Sequence, residues 1–394
     1  MQSNREESDD LLPQPDRAGA DHVEGGAAPA GGSGHELVVA PPLLPARILA
    51  GDALARKGMS ELAKQPVRVE QLPAFVRPVH GHCVVSDEVN ERVFLLGGWS
   101  NDGLWAYDFN RRSWQEVETG RFRPDALGHP SVVLDSKRRR LIWFGGWPHG
   151  NDTPVDDLYV LDLTAAPLEW EYVEHRHPWP LPRNGASLVL DTNRDRCLLF
   201  GGDAGPGQSF NPLDDLWTLD LASLQWQRHR RMFWQMAPSP RWLHAAALDS
   251  AAGRMILIGG AGRGRFDPLA HELDLESLRW GRPHGVNDTL PCVEGHAIAC
   301  VPEQHTLFIH GGLLLKGAGP SSLPYLWRCD LKTFWLTRAA LQPQDLPHGR
   351  FCHAMCYCRH RRALFCVGGK WNRHVANYYE TDGEFADTFL MHVS

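Results

Sequence analysis

Short runs of four to six apolar residues recur along this chain, and each stops at a pair of glycines. They read RVFLLGG at 92–98, LIWFGG at 141–146, CLLFGG at 197–202, MILIGG at 255–260, LFIHGG at 307–312 and ALFCVGG at 363–369. Runs of this length closed by glycine predict buried strands, since they are too short to show a helical period. Before each lies a strand of small and β-branched residues, such as HCVVSD at 82–87 or GASLVLD at 185–191. After each comes a polar loop of Asn, Asp, Gly and Pro, then a third segment such as GLWAYDF, DLYVLDL or DLWTLDL. Five units continue to a tryptophan in a further extended segment, at Trp114, Trp170, Trp226, Trp280 and Trp335. Every unit thus predicts four short strands.

The first glycines of the pairs stand at 97, 145, 201, 259, 311 and 368, a mean step of about 54 residues. Self-similarity at such a period marks a repeat architecture, and six four-stranded units predict an all-β, six-bladed radial propeller. A phosphate cradle would need GxxxxGK[ST] or GxGxxG feeding a helix, whereas these segments feed another strand. The glycines therefore read as places where a Cβ would strike a neighbouring blade. The double glycines, Tyr107/Asp108 and Leu161/Asp162 in third strands, and the tryptophans in register resemble the Kelch-repeat family over roughly residues 66–394. The resemblance implies a Kelch-type β-propeller acting as an interaction module in substrate recognition for ubiquitin ligases, cytoskeletal attachment or scaffolding. No BTB or F-box segment is recognisable ahead of the repeats, so ligase membership would depend on residues 40–65 or on a partner subunit.

The sixth unit reaches DTFLMHV at 387–393 without a tryptophan strand, which would leave a sheet edge open. VRVEQLP at 67–73 has the length and alternation to fill that place, so the fold is expected to close through an N-terminal strand. Residues 1–40, rich in Gly, Ala, Pro and acidic side chains, read as a disordered leader. Residues 41–65, with Ile48, Leu49, Leu54, Met59 and Leu62 loosely spaced, read as a short helix or linker, and 66–394 as the propeller.

Composition narrows the function. The chain of 394 residues is 43% hydrophobic, yet no window approaches eighteen apolar residues, and the N-terminus MQSNREESDD is acidic; neither a membrane span nor secretion is expected. Nine cysteines, an odd number, suit free thiols in the cytoplasm or nucleus. A net charge of −7 argues against nucleic acid as a partner.

His82, His129, His244, His296 and His353 open the first strands, with Gly185 in that place in the third unit. One imidazole per blade about a pseudo-sixfold axis is expected of a structural repeat feature rather than a metal shell. Cys352, Cys356 and Cys358 fall on one side of an extended strand, with Cys366 on the next. Same-face neighbours on a strand sit about 7 Å apart and converge poorly on a tetrahedral ion, so these read as small buried hydrophobes. His175 and His177 lie in a Pro-rich connection and read as solvated. Propeller enzymes related to the Kelch architecture use a copper set or an iron set spaced Glu-x-x-x-Asp-x-x-x-His; the nearest spacing here, Glu380 with Glu384, has Thr388 in the histidine place. No catalytic residue, metal or cofactor is assigned. A sugar mutarotase or metal-dependent enzyme is the alternative class, beside a cytoskeletal scaffold.

Function on a repeat scaffold is expected in its loops. The loops after the double glycines and those leading into the first strands should open on one face and gather Trp99, Asn101, Trp147, His149, Arg183, Asn184, Arg241, Trp242, Arg263, Arg265, Lys316, Arg350, Lys370, Trp371 and Arg373. Eight of these fifteen are Lys or Arg, offset in part by Asp102, Asp152, Asp203 and Asp267. Such a cationic, tryptophan-bearing mouth predicts an acidic protein or peptide partner. WQRHRRMFWQMAPSPRW at 226–242 interleaves Arg228, Arg230 and Arg231 with Phe233, Trp234 and Trp242, a weaker signal for stacking on single-stranded nucleic acid.

Overall fold

A computed structural model describes residues 67–125, 127–206, 210–230, 236–262, 270–283, 293–314, 321–341, 348–372 and 382–393; the readings of 1–40 and 41–65 lie outside them. Each repeat folds as a four-stranded antiparallel blade with its small-residue strand innermost. Blade I comprises His82–Asp87, Arg92–Gly97, Leu104–Asp108 and Ser113–Val117. Blades II to V repeat this order from inner strands Ser131–Asp135, Ser187–Asp191, Ala245–Asp249 and Ala297–Val301. Blade VI contains Ala354–Cys358, Ala363–Val367 and Thr388–His392, and its outer strand is Arg68–Leu72. That strand runs antiparallel to Thr388–His392, with Arg68 opposite His392 and Leu72 opposite Thr388, so the six-bladed ring closes through the expected segment. No helix of the described residues is long and apolar enough to cross a membrane.

The core lies between blades. Val93, Leu95 and Tyr107 of blade I meet Cys358, Phe365 and Leu390 of blade VI. Phe94 and Leu96, on the other side of the same strand, meet Leu141 and Trp143 of blade II. Because strand side chains alternate between faces, each blade is apolar on both, and neither face is covered until it has two neighbours.

The double glycines occupy these seams. The N–H of Gly146, Gly202, Gly260, Gly312 and Gly369 donates to the carbonyl of Arg183, Arg241, Val293, Arg350 and Val79 at 2.8–2.9 Å, each acceptor leading into the next blade. Gly201 has φ +63°, and a Cβ there would lie 2.7 Å from the Arg241 carbonyl oxygen.

Closer to the axis, six backbone hydrogen bonds form a closed circle. Gly81 donates to Cys352, His129 to Gly81, Gly185 to His129, Leu243 to Gly185, Gly295 to Leu243 and Cys352 to Gly295, at 2.7–3.0 Å. All six residues are left-handed, with φ between +49° and +65°, although His129, Leu243 and Cys352 are not glycine. This ring corrects the histidine register. His129 sits on the circle, whereas His82, His244, His296 and His353 follow it by one residue; Pro130 and Ala186 take their place in blades II and III.

The far ends of the inner strands carry a latch that the motif reading passed over. Asp87, Asp135, Asp191 and Asp249 accept from Arg92, Arg140, Arg196 and Arg254, five residues on, at 3.1–3.2 Å. Arg140, Arg196 and Arg254 then reach the carbonyls of Leu221, Leu275 and Leu331 in the following blade. Third-strand aspartates cap the turns to the outer strands: Asp220 Oδ1 accepts from the amides of Ala222 and Ser223 at 3.1 and 2.7 Å. The tryptophan register slips once. Trp114, Trp226 and Trp280 follow a left-handed residue by two, but in blade V Leu336 takes that place after Phe334 and leaves Trp335 half-buried.

Deleting residues 67–73 removes the outer strand of blade VI and is expected to lower the melting temperature of the whole domain in one cooperative step. Deleting residues 1–40 is expected to leave it unchanged. Differential scanning calorimetry of the two truncations checks both.

Candidate functional site

The loops after the double glycines and the segments leading into the inner strands do share one face, joined within single blades by bridges between Asn184 and Asp203, Trp242 and Ala261, and Phe351 and Lys370. Which side chains reach its surface departs from the charge-based expectation.

Arg183, Arg241 and Arg350 point inward and are 0–2% exposed. Arg183 forms a bidentate pair with Asp215 at 2.7 and 2.9 Å and donates to the Gly201 carbonyl at 2.9 Å. Arg350 does the same with Asp387, both contacts at 2.7 Å, and with the Gly368 carbonyl at 2.9 Å. Arg241 donates to the Gly259 carbonyl at 2.8 Å. Burial opposes ionisation of Asp215, but the Arg183 fork outweighs it and holds that carboxyl below its ordinary range. The reason for the correction is that the carbonyls of the glycine turns need buried donors, and a guanidinium supplies several in one plane. These three arginines build the face from beneath and do not present charge to a partner.

Asn101 is likewise buried, its amide donating to the carbonyls of Gly97 and Gly103 at 3.1 and 2.9 Å. Asn184 is buried against the Asp203 carbonyl. Arg263, Arg265, Lys316 and Arg373 lie outside the described residues.

The mouth retains its aromatics. Trp99, Trp147, Trp242 and Trp371 are half-buried, and His149 is exposed. Trp99 lies on the backbone of Gly128, where a Cβ would collide with its ring, and its ring centroid is 5.6 Å from that of His149. Trp371 lies similarly against Gly383. Trp147 Nε1 donates to the Asn151 carbonyl at 2.9 Å. Phe210, 41% exposed, packs 5.1 Å from Trp242; it was missed in the sequence because a single Phe in a polar loop carries no periodic signal. Lys370 is the described lysine of the rim, and its charge helps lower the basicity of both His80 and His129 after burial has done most of it. His80 Nδ1 is 3.1 Å from Glu384. Glu294, buried beside the ring, is pushed up to about 7 by desolvation.

Below the mouth, an axial cavity of about 230 Å³ is lined by the inner strands of all six blades, including His82, His129, His244, His296 and His353. The imidazoles at the repeated position serve the seams: those of His244, His296 and His353 pack against Gly201, Gly259 and Gly311 of the preceding blade. Cys356 and Cys358 face blade I, whereas Cys366 faces blade V, so these cysteines do not share a surface. The 226–242 stretch does not assemble as a stacking platform among the described residues. Trp226 is in the core, Trp242 is at the mouth, and Arg231, Phe233 and Trp234 lie outside the description.

Comparison with known proteins agrees with this architecture. Residues 67–232 match the family model described as the KLHDC2/KLHL20/DRC7 Kelch-repeats domain. Host cell factor 2 of Homo sapiens is 28% identical over 314 residues, covering 71% of this chain and 38% of that protein. Acyl-CoA-binding domain-containing protein 4 of Arabidopsis thaliana is 28% identical over 257 residues, covering 61% of this chain and 36% of that protein. The match therefore spans little more than a third of these two relatives. Kelch domain-containing protein 10 of Xenopus laevis is 28% identical, covering 67% of this chain and 66% of that protein. The solved structure of YjhT shares the fold at a TM-score of 0.62 and 16% identity, covering 81% of this chain and 96% of that one.

Two outcomes are expected. Arg350→Ala leaves Asp387 without its fork and the Gly368 carbonyl without a donor, and should cost about 3–5 kcal/mol in denaturant unfolding. Burial lowers His82, His129 and His310 to about 3 and His296 to about 4, so each binds its proton in the unfolded chain first. Their contribution is complete above the unfolded value near 6.5 and is lost as pH falls below it, by up to about 1.4 kcal/mol per pH unit for each group. Glu294, shifted upward, works in the opposite sense from about pH 7 down and offsets one of them. The melting temperature should fall steadily from pH 7 to 5; a flat profile would contradict this account.

Proposed function

The chain belongs to the Kelch-repeat β-propellers, and we propose that it is a recognition module, without chemistry of its own, that binds a protein or peptide on the mouth formed by the loops after its double glycines. The observation that carries this reading is the set of partly exposed aromatics there: Trp99, Trp147, Trp242 and Trp371, with Phe210 beside Trp242. Trp99 and Trp371 pack on the backbones of Gly128 and Gly383 and are already ordered, so a partner that covers them gains apolar contact at little entropic cost.

An acidic partner is favoured by Lys370 together with Arg263, Arg265, Lys316 and Arg373, and is tempered by Glu384, which pairs across the strand from Lys370. Service as a ubiquitin-ligase substrate receptor in the cytoplasm or nucleus is part of the proposal and rests on family resemblance. A competing surface is the outer edge of blade II, where the rings of Phe122, Tyr159, Tyr172, His175 and Trp179 follow one another at 4.3–6.1 Å; this edge would serve a scaffold.

Affinity capture from cell extract, comparing wild type with Trp99→Ala/Trp371→Ala, Lys370→Glu and Phe122→Ala/Tyr172→Ala at matched melting temperature, tests the reading. The tryptophan pair should weaken a defined partner by about 30-fold or more, and Lys370→Glu should weaken it more at low than at high salt. Capture that survives both and fails with the blade II pair overturns the mouth as the site.

A further inference from the structure

Two departures from the repeat meet at one seam. The residue before the glycine pair is Leu96, Phe144, Phe200, Ile258 or Val367 in five blades, but His310 in blade V. The residue before that is Leu95, Trp143, Leu199, Leu257 or Ile309 in five blades, but Cys366 in blade VI. Both side chains are fully buried, at 0% exposure. Alternation along the strands turns them toward each other across the seam between blades V and VI, where His353 joins them. His310 Nδ1 and His353 Nε2 are 3.0 Å apart, and one donor atom from each of His310, His353 and Cys366 lies within 4.8 Å of the others. One nitrogen on each ring is satisfied by the other, while His310 Nε2 and His353 Nδ1 are buried without partners. The equivalent His82, His244 and His296 also leave Nδ1 unpartnered, so what sets this seam apart is the second imidazole, His310, whose Nε2 is buried without a partner where the other blades carry an apolar residue.

We propose that His310, His353 and Cys366 form a metal site that takes one cuprous ion. Two imidazoles and a thiolate are a soft to borderline donor set, suited to Cu(I) or Zn(II). Charge decides between them. Cu(I) with one thiolate is neutral, whereas Zn(II) would leave a net positive charge in a desolvated seam whose neighbouring Arg350 and Asp387 already neutralise each other. Binding breaks the Cys366 S–H bond, forms a Cu–S bond and releases the proton to solvent, with no change of oxidation state. The approach is from the axial cavity, which His353 and Met355 line; Met355 is the cross-strand partner of Cys366.

The test titrates the full-length reduced protein anaerobically with Cu(I) against bicinchoninate, and in parallel with Zn(II) against a chromophoric zinc chelator. His310→Leu and Cys366→Leu restore the kind of residue that other seams use, so both variants should fold; Cys356→Ala, on the opposite face, is the control. Wild type and control should hold one Cu(I) per chain and melt higher when loaded, and each seam variant should bind about 100-fold more weakly or worse. Copper K-edge absorption of the loaded wild type should show two nitrogen scatterers and one sulfur, a readout independent of any variant. Wild type that holds no copper against the chelator, copper retained equally by both seam variants, or stoichiometric zinc held where copper is not, would each overturn the proposal.

Discussion

The circle of six backbone hydrogen bonds through Gly81, His129, Gly185, Leu243, Gly295 and Cys352 is the constraint on which the rest of the molecule depends. None of these bonds exists within a blade; each joins one inner strand to the next. To make them, every participant adopts a left-handed backbone, which is costly for His129, Leu243 and Cys352 and persists because the surrounding seams fix it. The double glycines extend the same logic outward, placing one blade's amide on the carbonyl of the next with no room for a side chain between. Blades apolar on both faces then have somewhere to bury them, and Arg68–Leu72 completes the last blade.

That economy explains where the arginines went. A seam built from glycine turns exposes carbonyls that no strand ladder satisfies, and Arg183, Arg241 and Arg350 satisfy them, Arg183 and Arg350 while pairing with Asp215 and Asp387. The Asp and Arg latches at the other end of the inner strands do comparable work with partly buried partners. Positive charge that looks available in the sequence is consumed as structure, which leaves the aromatic pads of the mouth as its principal recognisable feature.

Where the repeats agree with one another, the shared residue serves the ring. Where one blade departs, the departure is informative, because the other five show what the fold alone would accept. His310 and Cys366 are departures of this kind, and a second buried imidazole whose Nε2 has no partner is not what packing asks for. Trp335 is another, though Leu336 fills the space it vacates and the slip stays local.

The sequence by itself determined the repeat, the blade number, the four-strand order and the closing strand, because apolar runs, glycine pairs and turn-capping aspartates are local signals that return with a period. It determined too that one face would collect the variable loops. The direction in which Arg183, Arg241 and Arg350 point, the register that separates His129 from His82, and the meeting of His310 with Cys366 were decided only by the tertiary structure. The arginines turn onto carbonyls and carboxylates 18 to 37 residues further along their own blades, whereas the ring and the meeting of His310 with Cys366 cross from one blade to the next, and no spacing within one repeat encodes which group will stand opposite in either case.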